Sequence, residues 1–567
     1  MAYLKRFRIG ASRLILLALV ILASLIRFLL IAYHWPTTNS DEGVIDLMAL
    51  HIAYRGEHPI FYYGQAYLGS LEAHLAAPFV LLFGPSVFSV RLLLIALYAL
   101  FLVLLYNLAS RLYTRKLALF SVLLLSFGSL DMILQQLKAF GRYPDILVLN
   151  TLLLLLASHL ALTSPLASPA PRRWGLFFLM GLLSGIAIWT DQITLPFVGC
   201  ALLLLALFCR RELRGWGLGL LLVGLLIGIG PMIYANLTSP LGNNSLNAIL
   251  NVNGAMANEM AAKNIPSVRR FVGSLLFALP AATGFNQLCS PNQLPLFGPA
   301  TPTMLACTLT HGLWSLGYLG LGGIATTQAL ISAWRLRPRE TTLTELAPSD
   351  YRHLVIECTR LALLLSAGSI LALYTLSASA AVNPGPTSRY LFSMCLALPA
   401  LLWPLWRGLL PLTWPTLWRA RALFTLRIAT LLFILSMLVV GTVRTFEDVP
   451  NAQETFQKQE NLINYLLSHK KTRIYSDYWT CNRLIFQTTE QIACSVLDEQ
   501  LQSGQNRYPL YTEEVQKATA PAYVFIQDSA QARAFESQTY LPHALLYQRA
   551  TVSGYIIYIK SCKVCST

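Results

Sequence analysis

Long apolar runs separated by short polar joints dominate the chain. About 20 apolar residues suffice to cross a hydrocarbon core. On that measure the pattern predicts about eleven membrane-spanning helices, at 14–34, 86–110, 116–130, 144–162, 174–190, 192–209, 216–236, 304–334, 353–380, 390–407 and 424–443. The third and fifth runs are short and lie close to their neighbours. Beyond residue 443 the pattern changes. "TRIYSDYWTCNRLIFQ", "PAYVFIQ" and "GYIIYIK" are rich in β-branched and aromatic residues and read as strands. "ETFQKQENLINYLLSHKK" and "SAQARAFESQ" read as helices. The expected architecture is an all-α polytopic bundle over 1–443 and a small α/β domain over 444–567.

Charge orients the bundle. Arg111, Arg115 and Lys116 follow the second run, Arg172 and Arg173 the fourth, Arg210, Arg211 and Arg214 the sixth. Arg335, Arg337 and Arg339 follow the eighth, and Arg407, Arg419 and Arg421 the tenth. With the N-terminus in the cytoplasm, every one of these clusters lies inside, as the positive-inside bias requires. The first loop (35–85), the joint at 131–143, a long loop (237–303) and the tail then lie outside. Lys5, Arg6, Arg8 and Arg13 precede the first run, which has no small-residue cleavage site and reads as a retained helix rather than a leader.

Composition agrees. Hydrophobic residues make up 55% of the 567 and charged ones only 12%, about half the usual soluble share. The net charge of +16 therefore reads as loop Lys and Arg in a multi-pass protein of the cell membrane, and nucleic acid is not an expected partner. Of the ten cysteines, Cys200, Cys209, Cys307, Cys358 and Cys395 fall in apolar runs, where Cys acts as a small hydrophobe. Cys289, Cys481, Cys494, Cys562 and Cys565 fall outside, where oxidation is available. Cys481 and Cys494 are placed to bridge two strands; the terminal "CKVC" is a weak redox or zinc signal.

The candidate chemistry gathers at the outer ends of the runs. Asp41 and Glu42 stand side by side where the first run ends, in a chain with only 26 acidic residues. Carboxylates near lipid are costly and usually face a polar cavity. One reading is a general base or metal ligand; the other is a cap and first turn for a helix through "EGVIDLMALHIAYRG". Arg142 and Asp145 lie in "FGRYPDILVL", where a salt-bridged helix start is the alternative to a site. Arg389 and Tyr390 open the tenth run, where an interfacial anchor is the alternative. Snorkelling accounts for Arg27 and Arg91. Glu72 and His74, two apart, would diverge on a helix, so they make a poor metal pair even with His311 added. Asp191 reads as a helix cap.

The acidic pair, followed by "AYRGEHPIFYYGQAYLGSLEAHLAAPFVLLFGPSVFSVRLL", resembles the first external loop of GT-C glycosyltransferases. The likeness is to the bacterial group of protein O-mannosyltransferases and the lipid A aminoarabinose transferase. The G-x-x-P segment, the YGQ and the P-x-x-x-L-F-G-x-S run ending at Arg91 carry it, over roughly the first 240 residues. The resemblance implies an enzyme that moves a sugar from a polyprenyl-phosphate donor to an extracytoplasmic acceptor (protein, lipid or glycan), with inversion. It implies Asp41 as base with Glu42 assisting, and Asp145 and Glu72 in support. A lipid phosphate as leaving group calls for arginine, and Arg389, with Tyr390 beside it, and Arg142 are the candidates. The resemblance implies no particular cofactor, and a divalent metal is left open. The rival is a transporter or flippase of lipid-linked glycans, which predicts broken helices or charges near mid-membrane.

Overall fold

In the computed structural model, residues 10–164, 171–240, 244–286, 301–337, 346–410 and 417–560 are described. They divide into two compact units. One holds residues 1–27, 96–136 and 143–445; the other holds 28–95, 137–142 and 446–567.

The first unit is helical. Counting only the described residues, eight helices are long and apolar enough to cross a membrane, or nine if one bent pair counts as a span. All eleven expected runs fall on helices, but three differ from expectation. The run at 116–130 is broken: Arg115–Ser126 and Leu130–Leu137 meet at a bend of 87°. The run at 192–209 is the short helix Leu195–Phe208, entered through a 3₁₀ turn that Asp191 caps by accepting the Ile193 N–H at 2.9 Å. The run at 304–334 is a 35-residue helix, Pro302–Leu336, whose glycines and hydroxyl residues leave it less apolar than the others.

Irregular backbone among apolar helices must find partners inside the protein. At the break, Thr442 accepts the Gly128 N–H at 3.1 Å. Arg27, fully buried, donates to the carbonyls of Leu125 (3.2 Å), Ser126 and Ala23 (3.2 Å) and to Gln136 Oε1 (2.9 Å). Its guanidinium also lies 4.8 Å from the Tyr98 ring centroid. Arg27 thus does not snorkel; it satisfies the carbonyl end of the first half-helix. Cys307, expected as a plain hydrophobe, is disulfide-bonded.

Helices Pro171–Thr190 and Trp216–Thr238 pack through glycine. A methyl carbon added at Gly181, Gly185, Gly224 or Gly228 would collide with the carbonyl oxygen of Leu221, Leu225, Phe178 or Leu182 respectively. Small residues spaced four apart allow such close backbone approach between membrane helices.

The second unit contains a five-stranded sheet, with strands β1 (Arg473–Ser476), β2 (Ala493–Val496), β3 (Ala522–Ile526), β4 (Tyr547–Val552) and β5 (Tyr555–Lys560) in the order β2-β1-β3-β5-β4. β1 pairs in parallel with β2 and β3, while β5 is antiparallel to β3 and β4. Parallel neighbours need a crossover, and here "YWTCNRLIFQ" supplies it as a helix, Tyr478–Gln487. This corrects the strand expected for that stretch. Asp477 caps the helix through the Thr480 N–H at 3.2 Å, and Cys481, Leu484 and Ile485 enter the core of the unit. Cys481 and Cys494 do form a disulfide, but it joins this helix to β2 rather than two strands. Cys562 and Cys565 lie outside the described residues. The core also takes Leu462 and Leu466 from helix Val449–Ser468, and Leu47 and Leu50 from the first-loop helix Ser40–Arg55.

Candidate functional site

The first-loop helix Ser40–Arg55 sets the site. Its cap is Asn39, whose side chain accepts the Glu42 N–H at 3.1 Å, and Gly56 closes it at φ 66°. Asp41 and Glu42 therefore sit in the first turn, and the reading of Asp41 as the cap is set aside. At Gly43 the helix lies against the backbone of helix Tyr478–Gln487: an added methyl carbon would be 2.6 Å from the Arg483 nitrogen.

The two neighbouring carboxylates have different surroundings. Glu42 is fully buried and takes a two-pronged ion pair from Arg91, Nε to Oε1 at 2.8 Å and Nη2 to Oε2 at 2.7 Å. The Ala139 N–H adds a bond at 3.4 Å. Arg91 is only 3% exposed, so it too is a structural partner and not a snorkelling residue. Asp41 keeps 22% of its side chain exposed. Its Oδ1 accepts the Tyr478 hydroxyl at 2.6 Å and lies 3.9 Å from Arg507. Arg507 donates to the Tyr478 hydroxyl at 3.0 Å, and its guanidinium lies 5.2 and 5.3 Å from the ring centroids of Tyr62 and Tyr478. With its amide oxygen turned to Arg507, Gln65 of the YGQ stretch accepts at 3.1 and 3.2 Å.

Sequence reasoning missed four of these groups. Tyr478 and Arg507 lie more than 400 positions from Asp41. Asp46, one turn beyond Glu42, is fully buried, and neither carboxylate oxygen has a hydrogen-bond partner among the described residues. Burial and the neighbouring Glu42 charge push it well above the usual carboxylate range, against Arg91. Burial pulls Lys138 down to about 8, with Glu42 opposing and Arg91 adding to the drop. The visible signal for Asp46 was its i,i+4 spacing from Glu42 on a helix already expected.

A second polar network anchors the far end of the helix. Buried His51 contacts Tyr63 at 2.9 Å, Glu490 at 3.1 Å and Tyr511 at 3.2 Å. Arg55 donates to Glu490 at 2.5 Å. Burial alone would raise the Glu490 carboxyl, but the bonds from His51 and Tyr511 and the Arg55 charge outweigh it and hold it at about 2.

Of the other expected site residues, Glu72 is buried and accepts the Gly141 N–H at 2.8 Å, while His74 turns to the Ser70 carbonyl at 3.0 Å. The two diverge as expected. His311, in the first unit, faces the Leu276 carbonyl at 2.7 Å. Among the described residues no three of His, Cys, Asp and Glu are grouped to hold a metal ion. Arg142 belongs to the same unit as Asp41. Asp145, Arg389 and Tyr390 belong to the other. Asp145 is buried in the first turn of helix Tyr143–Thr163, and neither of its oxygens has a hydrogen-bond partner among the described residues. Arg389 and Tyr390 are half-buried in a 3₁₀ stretch, Ser388–Ala397, with Tyr390 edge-on to Tyr374 at 6.5 Å.

Residues 71–235 match the family model of dolichyl-phosphate-mannose-protein mannosyltransferases. No curated protein matches the sequence. Among solved structures, ArnT from Cupriavidus metallidurans bound to undecaprenyl phosphate aligns at 13% identity over 98% of this chain and 100% of that one, with a TM-score of 0.43. The oligosaccharyltransferase AglB from Archaeoglobus fulgidus, in complex with an inhibitory peptide and a dolichol-phosphate, aligns at 14% identity over 96% of this chain and 74% of that one, with a TM-score of 0.45. Its apo form gives 13%, 99%, 75% and 0.47. The family model is seated on 71–235, with helices long and apolar enough to cross a membrane on both sides of it, and over that stretch the chain resembles the mannosyltransferase group.

Proposed function

We propose that this enzyme transfers a sugar from a polyprenyl-phosphate donor to an acceptor hydroxyl or amine at the outer membrane surface, with inversion, and that Asp41 is the base. The observation that carries the proposal is the division of labour within the acidic pair. Glu42 is buried and committed to Arg91, while Asp41 keeps an exposed edge beside Tyr478 and Arg507. Asp41 takes the acceptor proton as the acceptor attacks the anomeric carbon. The bond to the lipid phosphate breaks on the opposite face, which gives inversion. Arg142, in the same unit as Asp41, is assigned to the departing phosphate, since a planar fork of donors suits it. Glu42 holds the loop helix in place through Arg91, and Glu72 does the same through Gly141. The disulfide Cys481–Cys494 favours an oxidising, outer location for the tail.

The test is Asp41→Asn in the full chain. Asn keeps the size and a hydrogen-bonding oxygen for Tyr478 but is no base. Release of polyprenyl phosphate from a panel of lipid-phosphate sugars should fall by about 10²–10⁴-fold, with donor binding kept. Turnover within about threefold of wild type, well short of a general-base effect, would remove Asp41 from this role. The break at 127–129 is a feature a transporter also uses. Movement of intact lipid-linked glycan across vesicles, without sugar transfer, would favour that reading.

A further inference from the structure

The transfer proposed above uses neither the YGQ stretch of the first loop nor Arg507 of the tail, yet the two are built around each other within the second unit. Gly64 turns the chain at φ 71°, and an added methyl carbon there would lie 3.3 Å from the Arg507 Cδ. Gln65 accepts from the two Nη groups of Arg507 at 3.1 and 3.2 Å. Tyr62 and Tyr478 flank the guanidinium, with ring centroids 5.2 and 5.3 Å away. Arg507 keeps only 5% of its side chain exposed. The same loop holds the next residue of the tail: the Tyr508 hydroxyl donates to Glu57 at 2.9 Å, as Tyr63 does at 2.7 Å.

This arrangement fixes the direction of a proton. A tyrosine hydroxyl has one proton to give, and a guanidinium only donates. The Tyr478 oxygen accepts the Arg507 Nε–H at 3.0 Å, so that bond cannot reverse. The hydroxyl proton is therefore turned to Asp41 Oδ1, at 2.6 Å. Tyr62 adds a second hold by donating to the Asp41 backbone carbonyl at 3.1 Å. The Arg507 charge lies 3.9 Å from the same Oδ1, and with so little of the arginine exposed, water screens it weakly. Lysine could not reproduce this. Its ammonium is a compact point charge, without the planar fork that lies between two rings and serves both Tyr478 and Gln65.

We infer that Arg507 is a positioning residue for Asp41, acting through Tyr478 and through its own charge, and that the stretch 62–65 is the socket that holds it. The tail thereby completes the transfer site, since Asp41 takes both its orienting hydroxyl and its neighbouring cation from it. With Oδ1 held by Tyr478, Oδ2 is the oxygen that takes the acceptor proton. The role of Arg507 rests on Asp41 being the base.

The test uses the full chain and sugar transfer from the same panel of lipid-phosphate sugars. Arg507→Gln should lower kcat by about 10- to 100-fold, the equivalent of losing a hydrogen bond from a charged donor. KM for the donor should stay within about twofold, less than such a bond is worth in binding. Arg507→Lys, which keeps the charge but not the fork, should recover part of the loss. In an Asp41→Asn background, Arg507→Gln should cost less than about twofold more, because the group it serves is gone. A cost that adds in full to that of Asp41→Asn would make Arg507 merely structural and overturn the inference, as would a kcat for Arg507→Gln within about threefold of wild type. If Arg507→Gln does not fold, Gln65→Met removes only the acceptor of the Nη groups. It should lower kcat about fivefold at unchanged KM, and an unchanged kcat would overturn the inference. Turnover of Asp41→Asn within about threefold of wild type would instead remove the base itself, and the role of Arg507 with it. A large loss in Asp41→Asn beside a normal Arg507→Gln would remove the role of Arg507 alone.

Discussion

Two buried arginines show two ways of keeping a charge out of water. Arg27, among the bundle helices, is surrounded by neutral acceptors: three carbonyls, one amide and the face of a tyrosine. Arg91, in the loop unit, is matched by a carboxylate as buried as itself. Dipoles tolerate the loss of their cation. A buried carboxylate does not, because its own charge then stands uncompensated. Substitution at the two places should therefore differ in size and in what rescues it.

The largest effect is expected at Arg91. Arg91→Leu strands Glu42 and should cost about 3–5 kcal/mol, read as a fall in the unfolding midpoint in detergent. Adding Glu42→Leu should recover most of that loss. A double variant no better than the single would place the cost in packing and end the contrast. Arg27→Leu should cost less, about 1–3 kcal/mol, since Leu125 keeps the Tyr98 hydroxyl at 2.8 Å and chiefly Ser126 loses its donor. A cost equal to that of Arg91→Leu would show that the bundle depends on charge as much as the loop does.

Smaller effects refine the picture on the loop side. Tyr478→Phe removes the donor that orients Asp41, and kcat should fall about fivefold, the equivalent of one ordinary hydrogen bond. KM for donor should stay within about twofold, far less than a lost hydrogen bond would cost in binding. A change in KM alone would make Tyr478 a binding residue. The smallest effect is one of pH. Glu490 is held at about 2, below the roughly 4.3 of an unfolded Glu. Its contribution to stability is complete above about pH 4.3 and is lost as pH falls from there towards 2. Between pH 6 and pH 3 the wild type should lose more of its unfolding midpoint than Glu490→Gln does. Parallel losses would mean that the His51 network does not hold this end of the helix.

The sequence revealed the helices because hydropathy is local. All eleven expected runs fall on helices, and "NSDEG" announced the start of the loop helix. It could not reveal the break at 127–129, where Gly128 and Ser129 sit inside an apolar run and Thr442 and Arg27, far away in the chain, help to satisfy the backbone. Nor could it tell that Arg91 reaches back 49 positions to Glu42. "YWTCNRLIFQ" misled for a different reason. Aromatic and β-branched content favours strand, but an Asp cap made it the helical crossover that a parallel pair requires. The candidate site was half legible: its carboxylates stand together in the sequence, while Tyr478 and Arg507 come from the tail.

The glycine contact between helices Pro171–Thr190 and Trp216–Thr238 works as a fixed gauge. Where side chains meet, a larger residue on one helix can be answered by a smaller one on the other, and the gap between axes drifts as sequences change. Here backbone meets backbone at four positions, and even alanine intrudes at each. No compensating exchange exists, because nothing smaller than glycine is available on the opposite side. The spacing of these two helices is thus a dimension of the bundle that substitution can only enlarge.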